Sequence, residues 1–270
     1  MAVDVQTVQV PSDDGTVLSL EQAGSGPPLL LVHDTGEDRT RWKGLYPALT
    51  STHTVYALDR RGRGGSTDGP SYAAQREFED LSEVMIQLPN PIDVMGLGWG
   101  AICVLGGVRR VAAGCVRRMV LYEPPLPVDA GPSKTPAIVL ERMQSFLGVG
   151  ARDRVVSLYL TEVLGLNGAE LEEQKTQTWW RGRLGAARTI PREVRAGDEY
   201  RFDEENYRGL AVPTLLLEGS LSPDRARRAV ARLASVLPAR QVSSLQGQRH
   251  LALDSAPDLV LGELSRFLTP

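Results

Sequence analysis

The stretch Val94-Met95-Gly96-Leu97-Gly98-Trp99-Gly100-Ala101 decides how this chain is read. An apolar run enters it and another, starting Ala101-Ile102-Cys103, leaves it. Glycines at alternate positions allow a strand to turn tightly into a helix. In turns of the G-x-S-x-G pattern, such a bend pushes a serine into an active site. Here the serine position is Gly98. The bend is therefore expected, but without a side chain that can attack.

Working outward, Leu29–His33, Val55–Leu58, Ile92–Met95, Met119–Tyr122 and Thr214–Leu217 are short continuous apolar runs, and Gln241–Leu245 is a more polar one. Runs of this length without alternation suit strands buried on both faces of a parallel sheet. Helical periodicity fills the gaps at about 40–49, 72–88, 99–112, 222–236 and 256–268. Strand and helix in alternation predict an α/β fold with a mostly parallel, doubly wound sheet, in which functional residues gather at the carboxyl ends of the strands. Two alternating segments, Val3–Val10 and Thr16–Glu21, flank Asp13-Asp14-Gly15 and predict an opening hairpin.

The alternation breaks between Glu123 and Val212, where about ninety residues carry helical patterns (Ala137–Leu147, Ala151–Leu164, Gly168–Leu184) and no convincing strand. This predicts an all-helical cap. The expected division is 1–123 for the first part of the core, 124–211 for the cap and 212–270 for the second part of the core.

Composition narrows the function classes. The chain has 270 residues, 42% hydrophobic and 23% charged, with net charge −3 and acidic and basic residues interspersed. That pattern argues against a nucleic-acid or membrane surface. The arginine-rich spots Asp59–Arg63 and Arg225–Arg228 read as solvated loop or helix faces. There is no secretory pattern at the start and no run near the ~18 apolar residues of a membrane span. Cys103 and Cys115 lack metal-ligand spacing and read as thiols of a reducing cytosol. The expectation is a cytoplasmic protein, monomer or homodimer, with no metal and no cofactor.

Several motifs fall in one order: His33 and Gly36 after the third strand, Leu58–Ser66 after the fourth, the turn Gly96–Gly100, and Gly247-Gln248-Arg249-His250. Together they resemble the α/β-hydrolase superfamily over nearly the whole chain. Leu121-Tyr122-Glu123-Pro124-Pro125-Leu126-Pro127, Thr189–Glu193 and Tyr200–Asp203 are similar to stretches of small actinobacterial-type members. The resemblance implies the hydrolase fold with a cap, and by analogy a role in specialised metabolism. It does not fix the reaction.

The resemblance also implies roles. His250 takes the place of the catalytic histidine that moves the nucleophile's proton. Its carboxylate partner is Glu123, at the end of the sixth strand, or Asp224, two residues beyond the usual place after the seventh, which Ser222 fills. Backbone N–H groups of Thr35 and Trp99 are the expected oxyanion hole. The loop usually begins His-Gly, but this chain has Asp34, a second candidate acid or base. His33 reads as structural. Ser66, Ser220 and Ser222 are available as substitute nucleophiles, though none lies on the turn.

A histidine–carboxylate pair without a nucleophile suits proton transfer: elimination, isomerisation or cyclisation. Competing readings are a hydrolase using His-activated water, an inactivated serine esterase, and a catalytically silent ligand-binding protein. Trp179, Trp180, Met143, Phe146 and Tyr159 are candidates for an apolar roof over the site, which favours a small apolar, polyketide-like metabolite as partner.

Overall fold

A computed structural model describes residues 5–128 and 135–269. Val3 and Asp4 of the expected first strand, 129–134 of the expected cap and residue 270 lie outside the described residues. Eight strands form one sheet: β1 (Val5–Pro11), β2 (Val17–Gly24), β3 (Pro28–Val32), β4 (Thr54–Asp59), β5 (Ile92–Leu97), β6 (Val116–Tyr122), β7 (Thr214–Gly219) and β8 (Arg240–Leu245). Their spatial order is β1-β2-β4-β3-β5-β6-β7-β8. The β1–β2 and β2–β4 pairs are antiparallel and the rest parallel.

The pleat divides the core. Leu30, Val32 and Val94 face a layer that includes the helices Ala74–Gln87, Trp99–Val108 and Asp224–Val236. Leu29, Leu31 and Met95 face Trp42, Leu45 and the helix Pro257–Leu268. Both faces are covered, which explains the continuous apolar runs. β8 is one of the two edge strands and is correspondingly polar and exposed.

Between β6 and β7 the described residues form helices only, with a separate apolar cluster around Met143, Val156, Leu160 and Ile190. The periodic stretch 151–164 divides into an α-helix, Arg152–Leu158, and a π-helical turn, Tyr159–Val163. The stretch 168–184 breaks into Gly168–Thr176 and Trp180–Ala186. A further helix, Ile190–Glu199, was not expected from periodicity. Its charged residues outnumber its apolar ones, and Pro191 sits in its first turn, where a missing N–H costs nothing.

Asp59–Arg63 is not a solvated loop. Arg60, Arg61 and Arg63 are among the most buried large side chains. Burying guanidinium is tolerable only when carboxylates satisfy it. Arg60 makes a two-pronged contact with Glu77 at 2.9 and 2.7 Å and reaches Glu193 of the Ile190–Glu199 helix at 2.9 Å. Arg61 grips Asp80, and Arg63 pairs with Glu193. A second buried cluster joins Glu37 to Arg41 and to Arg183 of the helical segment, with Asp254 on Arg41. Two ionic clusters thus fasten the helical segment to the sheet on either side of the loop after β3. Arg225, Arg227 and Arg228 are exposed, as expected. Among the described residues, no helix is long and apolar enough to cross a membrane.

Candidate active site

The turn at Gly98 has formed. Gly98 carries φ +52° and ψ −122°, a conformation that strains any residue with a Cβ. Gly100 lets the following helix approach β3, because a Cβ there would collide with the carbonyls of Val32 and His33. The backbone of a nucleophile turn is therefore intact.

The space above Gly98 is occupied. A Cβ built there would overlap the Asp34 carboxyl carbon and both its oxygens. Asp34, from the loop after β3, fills the position a residue-98 side chain would take. Its Oδ1 accepts the Trp99 N–H at 2.6 Å, and its Oδ2 lies 3.2 Å from His250 Nε2. The Thr35 N–H also stabilises this carboxylate. Both donors expected to hold a substrate oxyanion thus face a resident anion. The expectation of a free oxyanion hole is corrected: with Asp34 inside it, the Trp99 donor is taken.

His250 joins two carboxylates. Its Nδ1 is 2.8 Å from Glu123 Oε2, and the other oxygen of Glu123 accepts from Gly219 N–H and the Ser222 hydroxyl. Glu123 has φ +44°, the only described non-glycine residue with positive φ, a strain that aims its side chain back under His250. Asp224 is not the partner: its side chain is 72% exposed and pairs with Arg228. Ser222, where the acid is usually sought, supports Glu123 instead. Ser66 is tied to Ser19 N–H and the Asp59 carbonyl, and Ser220 accepts from Gly247 N–H. His33 is buried and structural, its Nδ1 on the Asp34 carbonyl and its Nε2 accepting the Arg60 N–H.

The electrostatics follow from this sandwich. Burial opposes charge on His250, but hydrogen bonds to Asp34 and Glu123, with their negative charges, push its pKa up to about 10. Burial likewise favours neutral Asp34 and Glu123, yet the His250 contact and the N–H donors hold both carboxyls below their usual range. At neutral pH the group is carboxylate, imidazolium, carboxylate, with one net negative charge.

These residues floor a cavity of about 340 Å³. Tyr159, Val163 and Leu164 form one wall and Glu193, Val194 and Gly197 another, with Pro125, Leu126, Ala226 and Ala229 completing an apolar lining. Of the expected roof residues only Tyr159 lines this cavity. Met143 is wholly buried in the apolar cluster of the helical segment, and Phe146 and Trp180 pack on that cluster. Trp179 lies over the Arg41 guanidinium. Their burial holds the helices together, which periodicity cannot distinguish from facing a ligand.

Glu193 joins the site although no motif of the sequence gives it a role there. It lines the cavity, bridges Arg60 and Arg63 and accepts the Thr35 hydroxyl at 3.1 Å. Glu37 is its counterpart on the other side, accepting the Asp34 N–H at 3.1 Å while paired with Arg183. The available signal was an excess of arginines after β4 that called for buried carboxylates elsewhere in the chain.

The family model described as "Alpha/beta hydrolase family" matches residues 29–263. The chain belongs to the alpha/beta hydrolase family. A solved alpha/beta hydrolase from Sphaerobacter thermophilus is 31% identical and superposes over 98% of this chain and 100% of that one, with a TM-score of 0.82. A non-heme haloperoxidase of Rhodococcus erythropolis is 28% identical over 220 residues, 78% of this chain and 80% of that protein. An esterase from a Rhodococcus species shares the fold at 21% identity, with a TM-score of 0.76 over 97% of this chain and 98% of that one. The hydrolase scaffold is thus kept around a centre that has no serine on its turn.

Proposed function

We propose that this member of the alpha/beta hydrolase family is a non-hydrolytic enzyme that moves protons on a small, apolar, polyketide-like metabolite, by elimination, isomerisation or cyclisation. The observation carrying this is the Asp34–His250–Glu123 array at the floor of a cavity whose walls combine apolar side chains with a few charged ones. Asp34 is the base: it is ionised at neutral pH, largely removed from water, and borders the cavity. His250 is the acid, because its raised pKa keeps it protonated where most enzymes work. Glu123 orients the imidazole and balances its charge.

The hydrolase relatives keep a second reading in view, attack by His-activated water. A histidine must be neutral to take a proton from water. His250 becomes neutral here by passing a proton to Asp34 or Glu123, so this reading needs a step that the first does not.

A nitro-substituted benzisoxazole tests the proposal, because its ring opens when a carboxylate removes its one acidic C–H proton. Turnover is expected to fall by roughly 10²–10⁴-fold in Asp34→Asn, with no labelling of the wild type by a fluorophosphonate. Asp34-independent turnover, or ester hydrolysis with a labelled serine, would overturn it.

A further inference from the structure

Removing a proton from carbon leaves negative charge on an acceptor atom, and that atom needs a hydrogen-bond donor. The donors on the floor are already engaged. The Trp99 backbone N–H is held by Asp34, and the acid His250 points Nε2 at the same carboxylate, through which it returns a proton rather than donating directly to the charged substrate atom. On the walls, the Thr35 hydroxyl is committed to Glu193 and Thr135 to Asp198. Tyr159 differs. It is only 4% exposed and lines the cavity, yet its hydroxyl makes no hydrogen bond with any described residue. Its oxygen is not among the sealed polar atoms of the interior, so it keeps accessible surface with which to meet a ligand.

Its setting gives that hydroxyl a use. Tyr159 opens the π-helical turn Tyr159–Val163, and its ring edge lies over Gly36, two residues after Asp34. π-Helical turns often occur at functional sites. Resting on the proton-transfer reading above, we propose that Tyr159 is a further catalytic residue, donating a hydrogen bond from the helical segment to the substrate oxygen that gains charge as Asp34 takes the proton. Burial, with the charges of Asp34 and Glu193 adding to it, pushes its pKa well above that of an ordinary tyrosine. The hydroxyl therefore stays protonated and acts as donor.

In the benzisoxazole reaction, Asp34 takes the ring C–H proton and that electron pair completes the nitrile. The N–O bond breaks with its pair going to oxygen, and the resulting phenolate oxygen accepts the Tyr159 hydrogen bond. Arg225, exposed at the rim of the cavity, is the competing donor.

The test is a series of benzisoxazoles whose leaving phenolates differ in basicity, assayed with wild type, Tyr159→Phe and Arg225→Ala. Tyr159→Phe is expected to lower kcat about 10-fold or more with little change in KM. Its rate should also depend more steeply on phenolate basicity, because the charge has lost its donor. Arg225→Ala should leave that dependence unchanged. If wild-type turnover depends on Asp34 but the Tyr159→Phe slope matches wild type, or if the slope moves in Arg225→Ala instead, this assignment falls and the proton-transfer reading survives. If wild type shows no Asp34-dependent turnover, both fall.

Discussion

Two loops meet at the site, the turn at Gly98 and the segment Asp34–Glu37, and their contributions differ. The turn keeps its strained backbone and its Trp99 N–H donor but offers no side chain. The loop after β3 carries the Asp34 carboxylate into the volume above Gly98, and the proposed function makes that carboxylate the base. The two changes fit only as a pair. A Cβ at position 98 would collide with the Asp34 carboxylate as it lies, so a serine there requires that side chain to move. A nucleophile turn thus persists as scaffold while a neighbouring loop fills its volume and takes its hydrogen-bond donor.

The largest effect is expected from reversing the arrangement of the two loops. Gly98→Ser alone should give no fluorophosphonate labelling, since the new side chain has no room. Asp34→Gly with Gly98→Ser clears the space and frees the Trp99 N–H, leaving His250 and Glu123 in place. The double variant should be labelled and should hydrolyse p-nitrophenyl butyrate at least about 100-fold faster than either single variant. Equal labelling of the single Gly98→Ser variant would show that Asp34 does not hold that volume.

The next effect concerns what fixes the loop. Arg183 ties the helical segment to Glu37, which in turn holds the Asp34 N–H, and both side chains are almost wholly buried. Arg183→Met should lower unfolding free energy by about 3 kcal/mol, as for a buried pair losing one partner, and should reduce Asp34-dependent turnover. Denaturant unfolding beside the benzisoxazole assay checks both. Unchanged turnover would separate the loop's position from the helical segment.

The array can also be followed by titration. His250 has a raised pKa, so its contribution to stability is complete below about pH 6.5, the unfolded value, and is lost as pH rises through about 10. Asp34 and Glu123 are lowered, so their contributions are present above the ordinary carboxylate range and are lost on acidification. Imidazole NMR should find His250 protonated well above neutrality, and Asp34→Asn or Glu123→Gln should each move its titration downward. The smallest effect is expected at Asp224. Asp224→Asn should change stability by no more than about 0.5 kcal/mol and leave turnover unaltered, since its carboxylate lies on an exposed helix end. A larger loss of activity there than in Glu123→Gln would reverse the assignment of the acid.

The sequence by itself determined the strand runs, the turn at Gly98, the absence of its serine and the candidacy of His250, Glu123 and Asp34. The first three are local properties, apolar runs and glycine spacing, whereas the three site residues are what the resemblance to the α/β-hydrolase superfamily implies. The tertiary structure decided what each residue faces. It placed Asp34 inside the oxyanion hole rather than beside it and chose Glu123 over Asp224. It also turned Met143, Phe146, Trp179 and Trp180 away from the cavity, and it drew Arg60 and Arg63 into the interior to meet Glu193. Those outcomes depend on contacts between segments distant in the chain, Asp34 with Gly98 and Arg60 with Glu193 among them. Periodicity reports that a side chain is apolar or charged, whereas only the packed neighbours determine whether an apolar one meets protein or ligand, or a charged one meets water or its counter-ion.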